Sequence, residues 1–324
     1  MNSGFAMPPA LSRGETVVYG TILALGGLLM WLSEVYPAQM PYWAPWDFSP
    51  SFYLATALGL YWFLRGRAVA PVDERPHVLR TAAFLVGVAL TYAALQTRYE
   101  YWSQHMFFLN RIQHVVMHHM GPLLIAAAWP WPAMRRGLPV PLQRAVDSRA
   151  VRLTLRVVQQ PVLAAFLFVG LFFFWLIPSV HFRAMLDPQL YAIMNWTMVF
   201  DGILFWSLVL DPRPKPLARV TYGTRTALAT SVIFPQIILG AAITFVHYDL
   251  YPYYDLCGRL FPAISAIDDQ QIGGIIIWIP PAMMSVIAVL LVLNALRKHE
   301  DTIKETDDDA SALAAFASRW TGRD

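Results

Sequence analysis

Charge is scarce in this chain. Only 14% of its residues are Asp, Glu, Lys or Arg, against 57% hydrophobic, where a soluble domain carries about a quarter charged. That shortage excludes an ordinary water-soluble fold and makes lipid the main solvent. Cysteine is nearly absent, and the single Cys257 excludes an internal disulfide. No internal repeat appears, and no alternating pattern is long enough to build a sheet. The basic residues sit in short connections between apolar runs, which excludes a nucleic-acid partner.

What remains is apolar length. A membrane helix needs about 20 mostly apolar residues. Eight stretches approach this, roughly 17–36, 51–65, 80–97, 104–129, 161–178, 190–210, 227–247 and 272–296. The expected fold is an all-α, polytopic transmembrane helix bundle of about eight spans. Twelve Trp and fourteen Tyr suit a protein with two membrane interfaces. Tyr42, Trp43 and Trp46 are expected in an outer aromatic belt, as are Tyr251, Tyr253 and Tyr254.

Arginine sets the orientation. The connections 65–80, 130–160 and 211–226 hold Arg65, Arg67, Arg75 and Arg80, then Arg135, Arg136, Arg144, Arg149, Arg152 and Arg156, then Arg213, Lys215, Arg219 and Arg225. The alternate connections hold little more than Arg98, Arg183 and Arg259. The positive-inside rule then places both termini in the cytoplasm of a bacterial inner membrane protein, and an even number of spans agrees. The first apolar stretch is long for a leader and reads as a retained anchor. Three regions follow: an anchor and outer aromatic loop over 1–49, a membrane core over 50–297, and an acidic cytoplasmic tail over 298–324. The tail is expected to be solvated and partly disordered, with a short surface helix at 310–320.

Polar residues inside a span are functional suspects, because lipid offers them no partner. In the fourth stretch Asn110, His114 and His118 recur at four-residue spacing, which stacks them on one helical face beside Met117 and Gly121. His119 points about 100° from His118, so both serve one site only if the helix is distorted. The sixth stretch adds Met194, Asn195, Met198 and Asp201, with Arg111 as a candidate partner for Asp201. His181, His247, Asp249, Asp255, Asp268 and Asp269 lie at outer ends. Of eight histidines, only His77 and His299 fall on the inner side.

Copper favours imidazole and thioether ligands and accepts carboxylate when oxidised. Bis-histidine haem needs facing histidines on two spans, and His114 and His118 share one. A proton or ion pathway would string Asp, His and Arg together. The plain alternative is structural, with His, Asn and Gln bonding across helices and Met as filler.

Several motifs carry a resemblance. Ile112-Gln113-His114 precedes Pro122-Leu123-Leu124, Gly202-Ile-Leu-Phe-Trp206 follows, and Asp268-Asp-Gln-Gln-Ile-Gly-Gly274 leads to Trp278-Ile-Pro280. Over roughly residues 50–297 the chain resembles the CtaG-type cytochrome c oxidase assembly family. The resemblance implies a seven-span core, and a part in maturing haem-copper oxidases by helping copper reach the catalytic subunit from the outer side. The family pattern has histidine where this chain has Asn110, Leu176 in Trp175-Leu-Ile-Pro178, and Asn195. The expected metal ligands are therefore His114, His118, His119 and Asp201, with His181 and His247, supported by Asn110, Arg111, Met117, Asn195, Met198, Asp268 and Asp269. The reading is a non-enzymatic assembly factor that handles copper transiently and works with the oxidase catalytic subunit or a periplasmic copper chaperone. A haem- or quinol-binding redox protein, an ion or metal transporter, and a scaffold without metal are the alternatives.

Overall fold

The computed structural model describes residues 12–321. Among them there is no β-strand, and all regular structure is helical. The first helices are α1 (Arg13–Val35), α2 (Pro50–Val69), α3 (Val78–Gln96) and a short α4 (Arg98–Ser103). A single rod then spans 107–128: α5 (Phe107–His114), a π-helical turn (Val115–Met120) and α6 (Gly121–Ala128). Short helices α7 (Trp131–Gly137), α8 (Val140–Val146) and α9 (Arg149–Val158) lead to α10 (Pro161–Leu176) and α11 (Pro178–Leu186). The chain finishes with α12 (Pro188–Val209), α13 (Tyr222–Ser231), α14 (Ile233–Phe245), α15 (Tyr253–Cys257) and α16 (Ala266–Thr321).

Five helical segments are long and apolar enough to cross a membrane: α1, α3, α12, α13 with α14, and residues 266–306 of α16. A sixth arises if α9 and α10, which meet at 73°, form one broken span. Helices occupy all eight stretches seen in the sequence, but α2 and the 107–128 rod are more polar than this measure allows. The molecule is thus a multi-helix membrane protein.

Local chemistry explains the breaks. Prolines at the first helical position open α2, α10, α11 and α12, where a missing N–H is harmless. Ser12 and Glu15 form a reciprocal cap on α1. The Asp269 carboxylate, on the first turn of α16, accepts the main-chain N–H of Phe107 (2.9 Å) and Phe108 (2.7 Å) and so caps the rod from 160 residues away. Pro280 and Pro281 lie inside α16 without ending it.

The acidic tail departs from expectation, because α16 continues unbroken to Thr321. The belt assignment fails for Tyr251, Tyr253 and Tyr254, all of which are buried. Tyr42 and Trp43 are exposed.

The bundle closes through small residues, as membrane helices do when no hydrophobic drive separates protein from lipid. At the α2–α7 crossing, a methyl on Gly66 would sit 1.7 Å from the Ala133 carbonyl oxygen, and one on Gly137 would sit 1.7 Å from that of Trp62. Gly66→Ala should therefore lower the stability of the detergent-solubilised protein by about 1–3 kcal/mol. Gly59→Ala on the same helix, where an added methyl meets nothing within 4 Å, should leave the melting temperature unchanged or slightly raised. Equal effects of the two would contradict this packing.

Candidate functional site

The rod owes its shape to Pro122. A proline inside a helix cannot donate to the carbonyl four residues back, and its ring collides with that carbonyl. Four residues before Pro122 is His118. The turn directly upstream has widened to the π form over Val115–Met120, a local insertion that relieves such a clash and recurs at functional sites. Helix α12 receives the bulge at Gly202, where a Cβ would lie 2.3 Å from the His118 carbonyl oxygen. Only glycine permits that approach.

A π turn holds more residues than an α turn, so neighbouring side chains diverge less. His118 and His119 therefore do face one another, with their Nδ1 atoms 3.2 Å apart. The His118 Nε2 lies 3.1 Å from Asp201 Oδ2, and the His119 Nε2 lies 3.1 Å from the Gln236 amide nitrogen. Both rings are fully buried among Phe168, Phe172 and Trp206, and His118 stacks on Phe168 at 4.3 Å.

The orientation of the Gln236 amide sets the direction of these contacts, and with its nitrogen toward His119 they run one way. An amide nitrogen only donates, so Gln236 donates to His119 Nε2. His119 then carries its proton on Nδ1 and donates to His118 Nδ1. His118 carries its proton on Nε2 and donates to Asp201. The result is a one-way hydrogen-bond chain through α14, the rod and α12. Asp201, 8% exposed, also lines a crevice of about 220 Å³ between α10 and α12.

A second polar group lies one turn nearer the start of the rod. Asn110, Arg111, Gln113 and His114 are all buried. Arg111 does not pair with Asp201 as expected, because the carboxylate is taken by His118 and no ion pair among the described residues includes Arg111. Its guanidinium donates to Asn110 Oδ1, lies 4.9 Å over the Phe107 ring, and neighbours Tyr191, Tyr251 and Tyr254. Gln113 joins Ser103 (3.0 Å), Tyr191 (3.2 Å) and the Ala94 carbonyl (2.8 Å). Neither His114 nitrogen has a hydrogen-bond partner among the described residues. His181 is buried beside this group, with Nε2 3.0 Å from the Tyr254 hydroxyl.

The remaining expected ligands fall elsewhere. His247 is exposed beyond the end of α14. Asp268 is exposed and accepts from Ser265, while Asp269 caps the rod and pairs with Arg259 at 2.5 Å. Met117 and Met198 are buried in one apolar cluster with Phe172. Asn195 is buried, with Oδ1 unpartnered among the described residues. Within the described residues, no three His, Cys, Asp or Glu side chains gather closely enough to enclose a metal. Gln236 was missed by the sequence reading, although a lone amide within the apolar 227–247 stretch is a visible signal.

Fold and site define a polytopic helical membrane protein with a buried His–His–Asp network and a separate, uncompensated arginine. The chain belongs to the cytochrome c oxidase caa3 assembly factor family, whose model matches residues 58–299 and so includes the whole network. No curated protein and no solved structure matches it.

Gln236→Leu removes the one side-chain donor to buried His119 Nε2 among the described residues and should cost about 1–3 kcal/mol. The double variant Gln236→Leu/His119→Leu should lose less than the two single losses summed, since the two residues share one bond. Strictly additive losses in melting temperature would break the chain as drawn.

Proposed function

We propose that this protein serves oxidase assembly by holding copper in transit between His118 and His119, with Asp201 as the balancing charge. The facing Nδ1 atoms carry the reading. Their 3.2 Å separation matches that of two nitrogens sharing one ion at about 2.0 Å each in tetrahedral directions. Imidazole is a suitable copper ligand.

Electrostatics favours this pair over His114. Arg111 stands one helical turn from His114, and a unit positive charge about 6 Å away opposes an arriving cation by about 3 kcal/mol per charge at an effective dielectric of 20. His118 instead contacts a carboxylate.

Loading requires both Nδ1 lone pairs. His118 already has the correct tautomer. His119 must move its proton to Nε2, and the Gln236 amide must turn to accept it through Oε1, an atom with no partner among the described residues. The proton count is unchanged. Two protein nitrogens leave the ion under-coordinated, so an incoming donor displaces them readily.

The arginine-rich connections support an eight-span chain with both termini in the cytoplasm of a bacterial inner membrane, so that the histidines would be reached from the outer side. Delivery would go to the oxidase catalytic subunit or to a periplasmic copper chaperone. A second reading, a scaffold that holds an oxidase subunit without metal, is favoured by one observation: His118, His119 and His181 each already have a side-chain partner.

Copper analysis of the purified protein separates them. The wild type should retain copper that His118→Ala/His119→Ala loses at least about tenfold, a loss of about 1.4 kcal/mol or more in binding. His114→Ala should lose much less. Equal copper in wild type and double variant would defeat the copper reading. Normal copper in the oxidase of a deletion strain, with the complex itself depleted, would establish the scaffold.

A further inference from the structure

On the arginine-rich side of the bundle, away from the histidines, α7, α9 and α12 enclose a crevice of about 590 Å³. Its lining is unbalanced: Arg135, Arg136, Arg213 and Arg219 face one carboxylate, Asp211. Arg135 and Arg136 turn to surface partners, Asp147 and Glu74. Arg213 meets Asp211 in a two-point pair (2.9 and 2.7 Å) and lies 4.9 Å over the Trp129 ring. Among the described residues, Arg219 donates only to the Leu155 main-chain carbonyl. Burial, then the charges of Arg156 and Arg213, hold its guanidinium below the ordinary range. Ser207, 8% exposed, also lines the crevice, and its buried hydroxyl has no hydrogen-bond partner among the described residues.

The rest of the wall is apolar, with Leu155, Ile203, Leu204 and Leu208 running along it. Helix α9 has Arg149, Arg152 and Arg156 on one face, and Leu153 and Val157, 55% and 52% exposed, run along its flank. It meets α10 at 73°, the attitude of an amphipathic helix lying in a membrane interface. A cationic mouth joined to an apolar wall at a bilayer surface fits an amphiphile with an anionic head.

We propose that this crevice binds one anionic phospholipid, its phosphate held by Arg213 and Arg219 and one acyl chain laid against Leu155 and Leu204. The site is independent of the copper reading, since it shares no residue with the histidine network. Bound lipid would tie the surface helix α9 to α12, the helix that carries Asp201.

The test is retention and stabilisation by defined lipids. Full-length protein, delipidated and placed in phosphatidylcholine nanodiscs, is titrated with phosphatidylglycerol, with extra phosphatidylcholine, or with inorganic phosphate. Native mass spectrometry and melting temperature are read. Phosphatidylglycerol alone should be retained at one per chain and raise the melting temperature. Arg219→Gln should weaken it about fivefold, and Arg213→Gln/Arg219→Gln about 25-fold, at about fivefold for each arginine near an anionic surface. Arg149→Gln, outside the crevice, should change little. If Arg213→Gln upsets the Asp211 pair, the single Arg219 variant still decides. Equal retention of the two lipids, or unchanged retention in Arg219→Gln, would overturn the proposal. So would phosphate at millimolar concentration giving the full stabilisation, since the acyl chain would then contribute nothing.

Discussion

The site hangs on a missing hydrogen. Pro122 has no N–H to offer the carbonyl of His118, and its ring occupies the space that carbonyl would need. The helix widens into a π turn just upstream, and the displaced carbonyl presses toward α12 at the one residue without a side chain, Gly202. Because Gly202 is seated there, its neighbour Asp201 arrives beside His118 Nε2. One backbone defect thereby sets three positions: His118 against His119, the rod against α12, and a carboxylate against an imidazole. Elsewhere the bundle tolerates loose ends, such as α1 with its many lipid-exposed side chains. Along the rod every polar residue from Asn110 to His114 is buried, and small shifts there would strand groups that lipid cannot solvate.

Much of this was legible in the sequence. Apolar length located the helices, and the density of polar groups in 104–129 located the buried polar network, since both follow from transfer free energies that depend little on context. Pairings were harder to read. Arg111 and Asp201 attract on paper, but charge says nothing about which helix face meets which, and the partner is a histidine. Four-residue spacing assumed an unbroken α-helix, and the π turn altered the rule where it mattered. The proline responsible was in plain view four residues after His118. The tyrosines near 251 resemble an interfacial belt in sequence, but they are buried, Tyr251 and Tyr254 beside a guanidinium. Sequence periodicity cannot separate a tyrosine that anchors at water from one that solvates a buried charge.

Arg111 is the group the fold accommodates least well. With no carboxylate, it is offset by an amide oxygen, an aromatic face and a set of tyrosine neighbours. Dipoles of this kind soften a buried charge without cancelling it. The residual positive potential covers His114, whose nitrogens are unpartnered among the described residues and which would otherwise seem the readiest ligand. The most available imidazole is thus the one least suited to a cation, and the better-suited pair is already hydrogen-bonded.

That last point fits carriage of an ion better than its storage. A resident metal site gains by leaving its ligands unsatisfied until the ion arrives, yet bare imidazoles in a low-dielectric interior destabilise the empty protein. A carrier must be stable both empty and filled. In the proposed cycle the empty pair is closed by its own hydrogen bond, and loading breaks that bond and turns the Gln236 amide. Each net hydrogen bond given up is worth about 1 kcal/mol, so affinity falls roughly fivefold for each one. The competing internal bonds also supply the driving force for release, since they re-form as the ion leaves. A network that looks self-satisfied is therefore what a hand-off site in lipid requires, and the scaffold reading draws on the same bonds without needing them to open.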